Sequence, residues 1–176
     1  MSSSRLKDVV TLRTQGPEDT FQLGVSFGGT AQGGEVVALI GTLGAGKTQF
    51  VKGLAQGLGI LPEDVTSPTF SLMQSYEGRL ILTHIDLYRL EKQSEMFGLG
   101  LEEEIEDASG LAAIEWADKG AHILPPGRLL ISLKPLEGVL REIVIQSTDV
   151  VHQAWQNRSL KKYAGAQRTH TLDASK

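Results

Sequence analysis

The chain has 176 residues, a formal net charge of −4, 40% apolar and 22% charged residues, and no cysteine. This is enough for one domain with a buried core, of ordinary globular composition, and it excludes disulfides and thiolate metal sites. The start, MSSSRLKDVV, lacks the apolar stretch of a secretory signal, and no apolar run approaches the roughly 20 residues needed to span a bilayer, so a cytoplasmic location is expected.

VVTLRT (9–14) reads as a short strand. Gly16-Pro17-Glu18-Asp19 marks a helix start, with proline early and acids where the helix dipole favours them, and the helix is expected to run to about Gly28. Gly-Gly pairs at 28–29 and 33–34 bracket an expected loop, after which EVVALIG (35–41) is a continuous apolar run, as in a strand buried on both faces. Phe50, Val51, Leu54 and Leu58 then recur at helical spacing until Gly59 and Pro62. Gly53 and Gly57 lower helix propensity inside that segment, which points to close packing against a neighbour.

SPTFSLMQSY (67–76) and LILTHID (80–86) flank Glu77-Gly78-Arg79, a hairpin turn, and the acidic EEEIED (102–107) reads as an exposed helix. LAAIEW (111–116) is another buried strand. RLLISLKPL and LREIVIQ, separated by Glu137-Gly138, form a closing hairpin with leucine and isoleucine alternating. Residues 1–150 are read as one α/β domain and 151–176 as a C-terminal helix with a basic tail, expected to be partly disordered. From Asn157 onward there are five basic residues against one acid, Asp173. Such a tail is ordinarily a solvated end; contact with tRNA through its phosphates is the functional alternative. The four histidines show no metal-ligand spacing.

GTLGAGKT (41–48) satisfies the P-loop pattern in its confirming context, a strand before and a helix after. Glycines let successive backbone N–H groups curl into an anion-binding nest, and the helix beginning near Gly46 turns its positive dipole end to the phosphates. Lys47 is expected to reach the β and γ phosphates and Thr48 to ligate Mg²⁺. Gly41, Thr42, Leu43, Gly44, Ala45, Gly46 and Gln49 complete the candidate phosphate-binding set. A P-loop also needs a carboxylate at the end of a neighbouring strand, and two acids stand there: Asp86 in LILTHID and Glu115 in LAAIE. The guanine-reading Asn-Lys-x-Asp segment is absent, which favours ATP over GTP. Ser67 and Thr69 flank Pro68, either as a loop that senses the γ-phosphate or as a plain strand start.

Taken in order, GTLGAGKTQF, VTSPTFSLMQSY, HIDLYRL, the IEW of AAIEWADKG and the final hairpin resemble the TsaE family, the bacterial ATPases of tRNA threonylcarbamoyladenosine synthesis. The resemblance runs from about residue 9 to 146 and implies a P-loop NTPase-like three-layer α/β fold with a mixed, mostly parallel sheet. It implies that Glu115 is the acid at the metal with Thr48, that Asp86 acts near the γ-phosphate or the attacking water, and that Ser67 and Thr69 form the switch. Lys47, Asp86 and Glu115 are then the catalytic set, Trp116 the family's aromatic after the glutamate, and Arg141 a nucleotide-contacting arginine of the last hairpin. Gln15 to Thr20 are candidates for the adenine side. The implied cofactors are ATP and Mg²⁺, and the implied partners TsaD and TsaB, which act on adenosine 37 of tRNA.

Two departures stand out: Thr42 replaces the family's usual aspartate, and Gln49 its frequent threonine. The first keeps open a nucleotide-dependent adaptor with little turnover. A small P-loop kinase is the other alternative, although the chain has no long arginine-rich insertion to serve as a lid.

Overall fold

The computed structural model describes residues 9–68, 71–90, 100–107 and 109–173, from 165 onward by backbone alone. Strands β1 (Val9–Thr14), β2 (Glu35–Ile40), β3 (Met73–Tyr76), β4 (Ile81–Asp86), β5 (Gly110–Glu115), β6 (Leu129–Pro135) and β7 (Arg141–Ser147) form one sheet in the order β1-β7-β6-β2-β5-β4-β3. Pairings β6–β2, β2–β5 and β5–β4 are parallel, whereas β1–β7, β7–β6 and β4–β3 are antiparallel. Only β3 and β7 therefore run against the other five, so the sheet is mixed and mostly parallel.

The central strand β2 has cores on both faces, which is why EVVALI is continuously apolar instead of alternating. Val37 and Leu39 face one cluster with Leu82, Leu111, Ala113, Leu129, Ile131 and the hairpin residues Leu133, Ile143 and Ile145. Val36 and Ala38 face a second cluster with Ile85, Ala112 and Ile114. Helices α1 (Pro17–Thr30), α2 (Lys47–Gly57) and α4 (Val150–Asp173) cover the first face. The short α3 (Leu101–Ile105) lies on the second, with Leu101 and Ile105 buried and Glu102 to Glu104 exposed.

Helix α1 begins at Pro17 as its sequence dictates but runs through Gly28 and Gly29 to Thr30 instead of ending at the glycine pair. Those glycines are packing residues. A Cβ on Gly28 would lie 2.1 Å from the Leu54 carbonyl oxygen, so α1 and α2 meet backbone to backbone. Strand β3 starts at Met73, later than the expected segment 67–76, since residues 67, 68, 71 and 72 lie outside any strand. Pro68 has no N–H for a ladder. Thr69 lies outside the described residues.

The first turns of α4 belong to the main core. Trp155 is fully buried, stacks edge-on against Phe27 at 5.3 Å and donates from Nε1 to the Phe27 carbonyl at 3.0 Å. Ser159 and Thr30 share a hydroxyl hydrogen bond at 2.6 Å, and Tyr163 donates to Asp19 at 2.9 Å. The basic Arg158 is likewise used within the fold, on the Thr30 carbonyl and 3.8 Å from Glu35. Among the described residues no helix is long and apolar enough to cross a membrane.

Candidate active site

Parallel strands β2, β4 and β5 end together, and the segment after β2 turns directly into α2, so the chemistry-bearing residues gather at their carboxyl ends. Strand alternation decides which side chains meet. On β5, Leu111, Ala113 and Glu115 share the face toward α2; on β4, Leu82, His84 and Asp86 share it. Asp86 is in register with Glu115, and His84 sits one pleat behind with Ala113.

The loop from Gly41 to Gly46 encloses the Lys47 ammonium, which donates to the carbonyls of Gly41 at 2.7 Å and Thr42 at 2.9 Å. Its nitrogen also lies 3.9 Å from the centre of the Trp116 ring, a cation–π contact. Gly46, the last residue before α2, has φ 107°, which a side chain would strain. Burial holds the Lys47 ammonium below the ordinary lysine range, opposed by the carboxylates of Glu115, Asp86 and Asp118. Arg141 braces the loop from outside, donating from Nε to the Ala45 carbonyl at 3.2 Å and from Nη2 to that of Gly44 at 3.4 Å.

Thr48, in the first turn of α2, donates its hydroxyl to Glu115 Oε2 at 3.0 Å and lies 3.3 Å from the Ser67 hydroxyl. Glu115 is buried, and its Oε1 accepts from His84 Nε2 at 2.9 Å. Asp86 Oδ1 accepts from the Tyr88 backbone N–H at 2.9 Å. Its pKa is raised, first by burial and further by the neighbouring Glu115 charge, against the lowering effects of the Tyr88 N–H, His84 and Lys47.

A carboxylate whose pKa rises on folding contributes stability below its unfolded value of 3.8 and loses it as pH rises through the folded value. At neutral pH the ionised Asp86 is therefore a cost to the ligand-free fold. Asp86→Asn keeps the acceptor for Tyr88 and removes the charge. It is expected to raise ligand-free stability by about 0.5–1 kcal/mol, within the usual range of single stabilising changes. Thermal melts from about pH 4 to pH 7 should show the gain growing with pH. A variant no more stable than the parent at neutral pH would contradict this.

These groups border one cavity of about 720 Å³. Leu43 to Gln49, Ser67, Asp86, Glu115, Trp116 and Arg141 line it. Gly41 and Thr42 take part through their carbonyls on Lys47, and Pro17 and Thr20 reach the wall from α1. Tyr88 and Arg89 also line the cavity, and neither was among the candidates. Tyr88 packs on Trp116 with ring centres 5.0 Å apart, and Lys119 donates to its carbonyl. Trp116 itself has a positive φ of 57°, rare for a non-glycine residue, which turns the chain sharply after Glu115. No metal-ligand spacing marks His84 in the sequence. Its signal was the alternation His84-x-Asp86 beside Ala113-x-Glu115, readable only once β4 and β5 are paired.

The sequence model of "Threonylcarbamoyl adenosine biosynthesis protein TsaE" matches residues 14–143. The tRNA threonylcarbamoyladenosine biosynthesis protein TsaE of Treponema pallidum is 45% identical over 128 residues, covering 73% of this chain and 93% of its own. The Bacillus subtilis protein of the same name is 42% identical over 132 residues, 74% of this chain and 81% of its own. The crystal structure of Bacillus subtilis YdiB superposes with a TM-score of 0.76 at 32% identity, covering 90% of this chain and 99% of that one. With motifs, sheet order and relatives in agreement, the chain belongs to the TsaE family of tRNA threonylcarbamoyladenosine biosynthesis proteins.

Proposed function

We propose that the chain binds ATP with Mg²⁺ and hydrolyses it to ADP and phosphate, and that this cycle supports a TsaD–TsaB complex in tRNA threonylcarbamoyladenosine formation. The observation that carries the reading is the hydrogen bond from Thr48 to Glu115, which joins the first turn of the P-loop helix to the end of a neighbouring strand. Asp86 stands in register beside it.

The donor set suits a hard divalent cation, since it offers hydroxyl and carboxylate oxygens. Among the described residues no group of three or more His, Cys, Asp or Glu could hold a metal. Mg²⁺ is ordinarily held by one or two side chains together with substrate phosphates. Thr48 and Glu115 would hold Mg²⁺, which would supply positive charge against that of the phosphates. Lys47, desolvated and donating to two loop carbonyls, would exchange those acceptors for phosphate oxygens. Asp86, whose raised pKa brings it nearer to the range of a useful base, would orient water and take its proton. Ser67 and Thr69 would read the γ-phosphate, and Arg141 would couple the loop to the last hairpin. Residues 15 to 20 would border the adenine.

The test is phosphate release by the purified chain, alone and with TsaD and TsaB. The partners are expected to raise the rate, and Lys47→Ala is expected to abolish it in both settings. ATP binding without phosphate under any condition would replace this reading with the adaptor. Label appearing on a small-molecule acceptor would replace it with the kinase.

A further inference from the structure

We propose that His84 is a positioning residue for the metal: it fixes the Glu115 carboxylate so that the second oxygen is presented to Thr48. The inference rests on the Mg²⁺–nucleotide reading above and adds to it a residue behind the cavity wall.

His84 has no exposed surface and is not among the cavity-lining residues, so it stands behind the wall and reaches the cavity through Glu115. Its Nε2 meets Glu115 Oε1 at 2.9 Å, and a carboxylate only accepts, so Nε2 carries the proton. Glu115 Oε2 is then left to the Thr48 hydroxyl at 3.0 Å. The two contacts arrive from different elements, β4 behind and α2 above, and together they fix both the rotation and the tilt of the carboxylate. A glutamate has three side-chain torsions, and a carboxylate held at one end alone can swing toward Lys47, whose charge attracts it.

The other ring nitrogen, Nδ1, is buried with no hydrogen-bond partner among the described residues. Packing alone would be served better there by an apolar side chain, which leaves no polar atom unpaired. What the imidazole supplies at this place is a donor at the reach of Nε2. Residues that orient a metal-holding group in this way set metal affinity without contacting the ion.

The experiment measures ADP affinity of the full chain by calorimetry, once with EDTA and once with MnCl₂, and takes the ratio as the metal's contribution. In the parent, Mn²⁺ should tighten ADP. His84→Leu should lose about 10-fold or more of that tightening while the affinity in EDTA stays unchanged. His84→Asn, polar but too short to reach Glu115, should lose as much, which serves as a second variant should the leucine fail to fold. His84→Gln, whose amide nitrogen extends as far as Nε2, should recover most of it.

A purely structural role would not produce this order or confine the loss to the metal-dependent arm. Adding His84→Leu to Glu115→Gln should cost nothing further, because the histidine acts only through that carboxylate. Parent-like metal dependence in both His84→Leu and His84→Asn would overturn the inference, as would a glutamine variant as impaired as leucine. If the parent itself fails to bind ADP, the nucleotide reading falls and this inference with it. If ADP binds normally and only the histidine series is flat, the nucleotide reading stands alone.

Discussion

Replacing Glu115 by glutamine is expected to lower ATP hydrolysis by roughly 10²–10³-fold, the scale of losing a few kcal/mol of charge stabilisation at a metal, without lowering the melting temperature. The two halves of this expectation have separate causes. Glu115 is buried at the end of β5, in register with the carboxylate of Asp86, and the two repel, which contributes to the raised pKa of Asp86. Glutamine has nearly the same volume; relief of the Asp86 repulsion is offset by the lost attraction of Lys47 and by one donor left without an acceptor, so the ligand-free melting temperature should stay close to the parent's. Its amide still offers an oxygen to one of the two donors that reach this position, Thr48 and His84, but no longer to both. The function loses the negative charge that would hold Mg²⁺ beside Thr48.

Asp86 provides an internal check. With its neighbour's charge gone, its pKa should move back toward the ordinary carboxylate value. The acid limb of any residual activity should follow it downward. A glutamine variant that hydrolyses ATP at the parental rate would mean that Glu115 is not the acid at the metal. A variant that melts well below the parent would mean that the carboxylate is structural, holding β5 to α2 through Thr48.

Much of this site was legible because local sequence specifies it. The β2–loop–α2 unit needs only an apolar run, glycines where the chain curls, and a helix start, all contiguous from Glu35 to Gly57. The acids at the ends of β4 and β5 follow from reading two strands. The acidic helix α3 and the alternation of the β6–β7 hairpin were also plain, since each is a local pattern.

What stayed hidden lies in contacts between distant parts. Nothing in the sequence near Gly28 says that α1 continues through it, because the reason is Leu54 on another helix. Trp155 falls in the expected C-terminal helix, but nothing local says that the helix docks on Phe27, 128 positions away. His84 looked unassigned for the same reason: its partner is 31 residues distant and depends on register. The short β3 reflects a conflict that local propensity cannot resolve, since the segment before it belongs to the site, with Ser67 against Thr48.

Gly53→Ala is expected to destabilise the fold by about 3 kcal/mol, near the upper end for overpacking, a drop of roughly 6–12 °C in melting temperature for a chain of this size. In an isolated helix the same change would help by about 1 kcal/mol; here the helix packing decides. A Cβ on Gly53 would sit 2.1 Å from the Phe21 carbonyl oxygen and 2.9 Å from Gly24 Cα. These are backbone atoms of α1 and cannot rotate away. The facing residue is equally bare, since a Cβ on Gly24 would lie 2.2 Å from the Phe50 carbonyl oxygen. Relief therefore requires α1 and α2 to separate, which opens the buried contacts of Leu23, Phe27, Phe50 and Leu54 between and beneath them.

The consequence reaches the site as well. Helix α2 begins with Lys47 and Thr48, so a shift of its axis moves the Thr48 hydroxyl relative to Glu115, whose own strand is anchored in the sheet. Nucleotide affinity should fall together with stability. Gln56→Ala, on the exposed side of the same helix, is the control and should leave both nearly unchanged. A Gly53→Ala protein that melts within a degree or two of the parent would show that α1 and α2 do not meet backbone to backbone in solution.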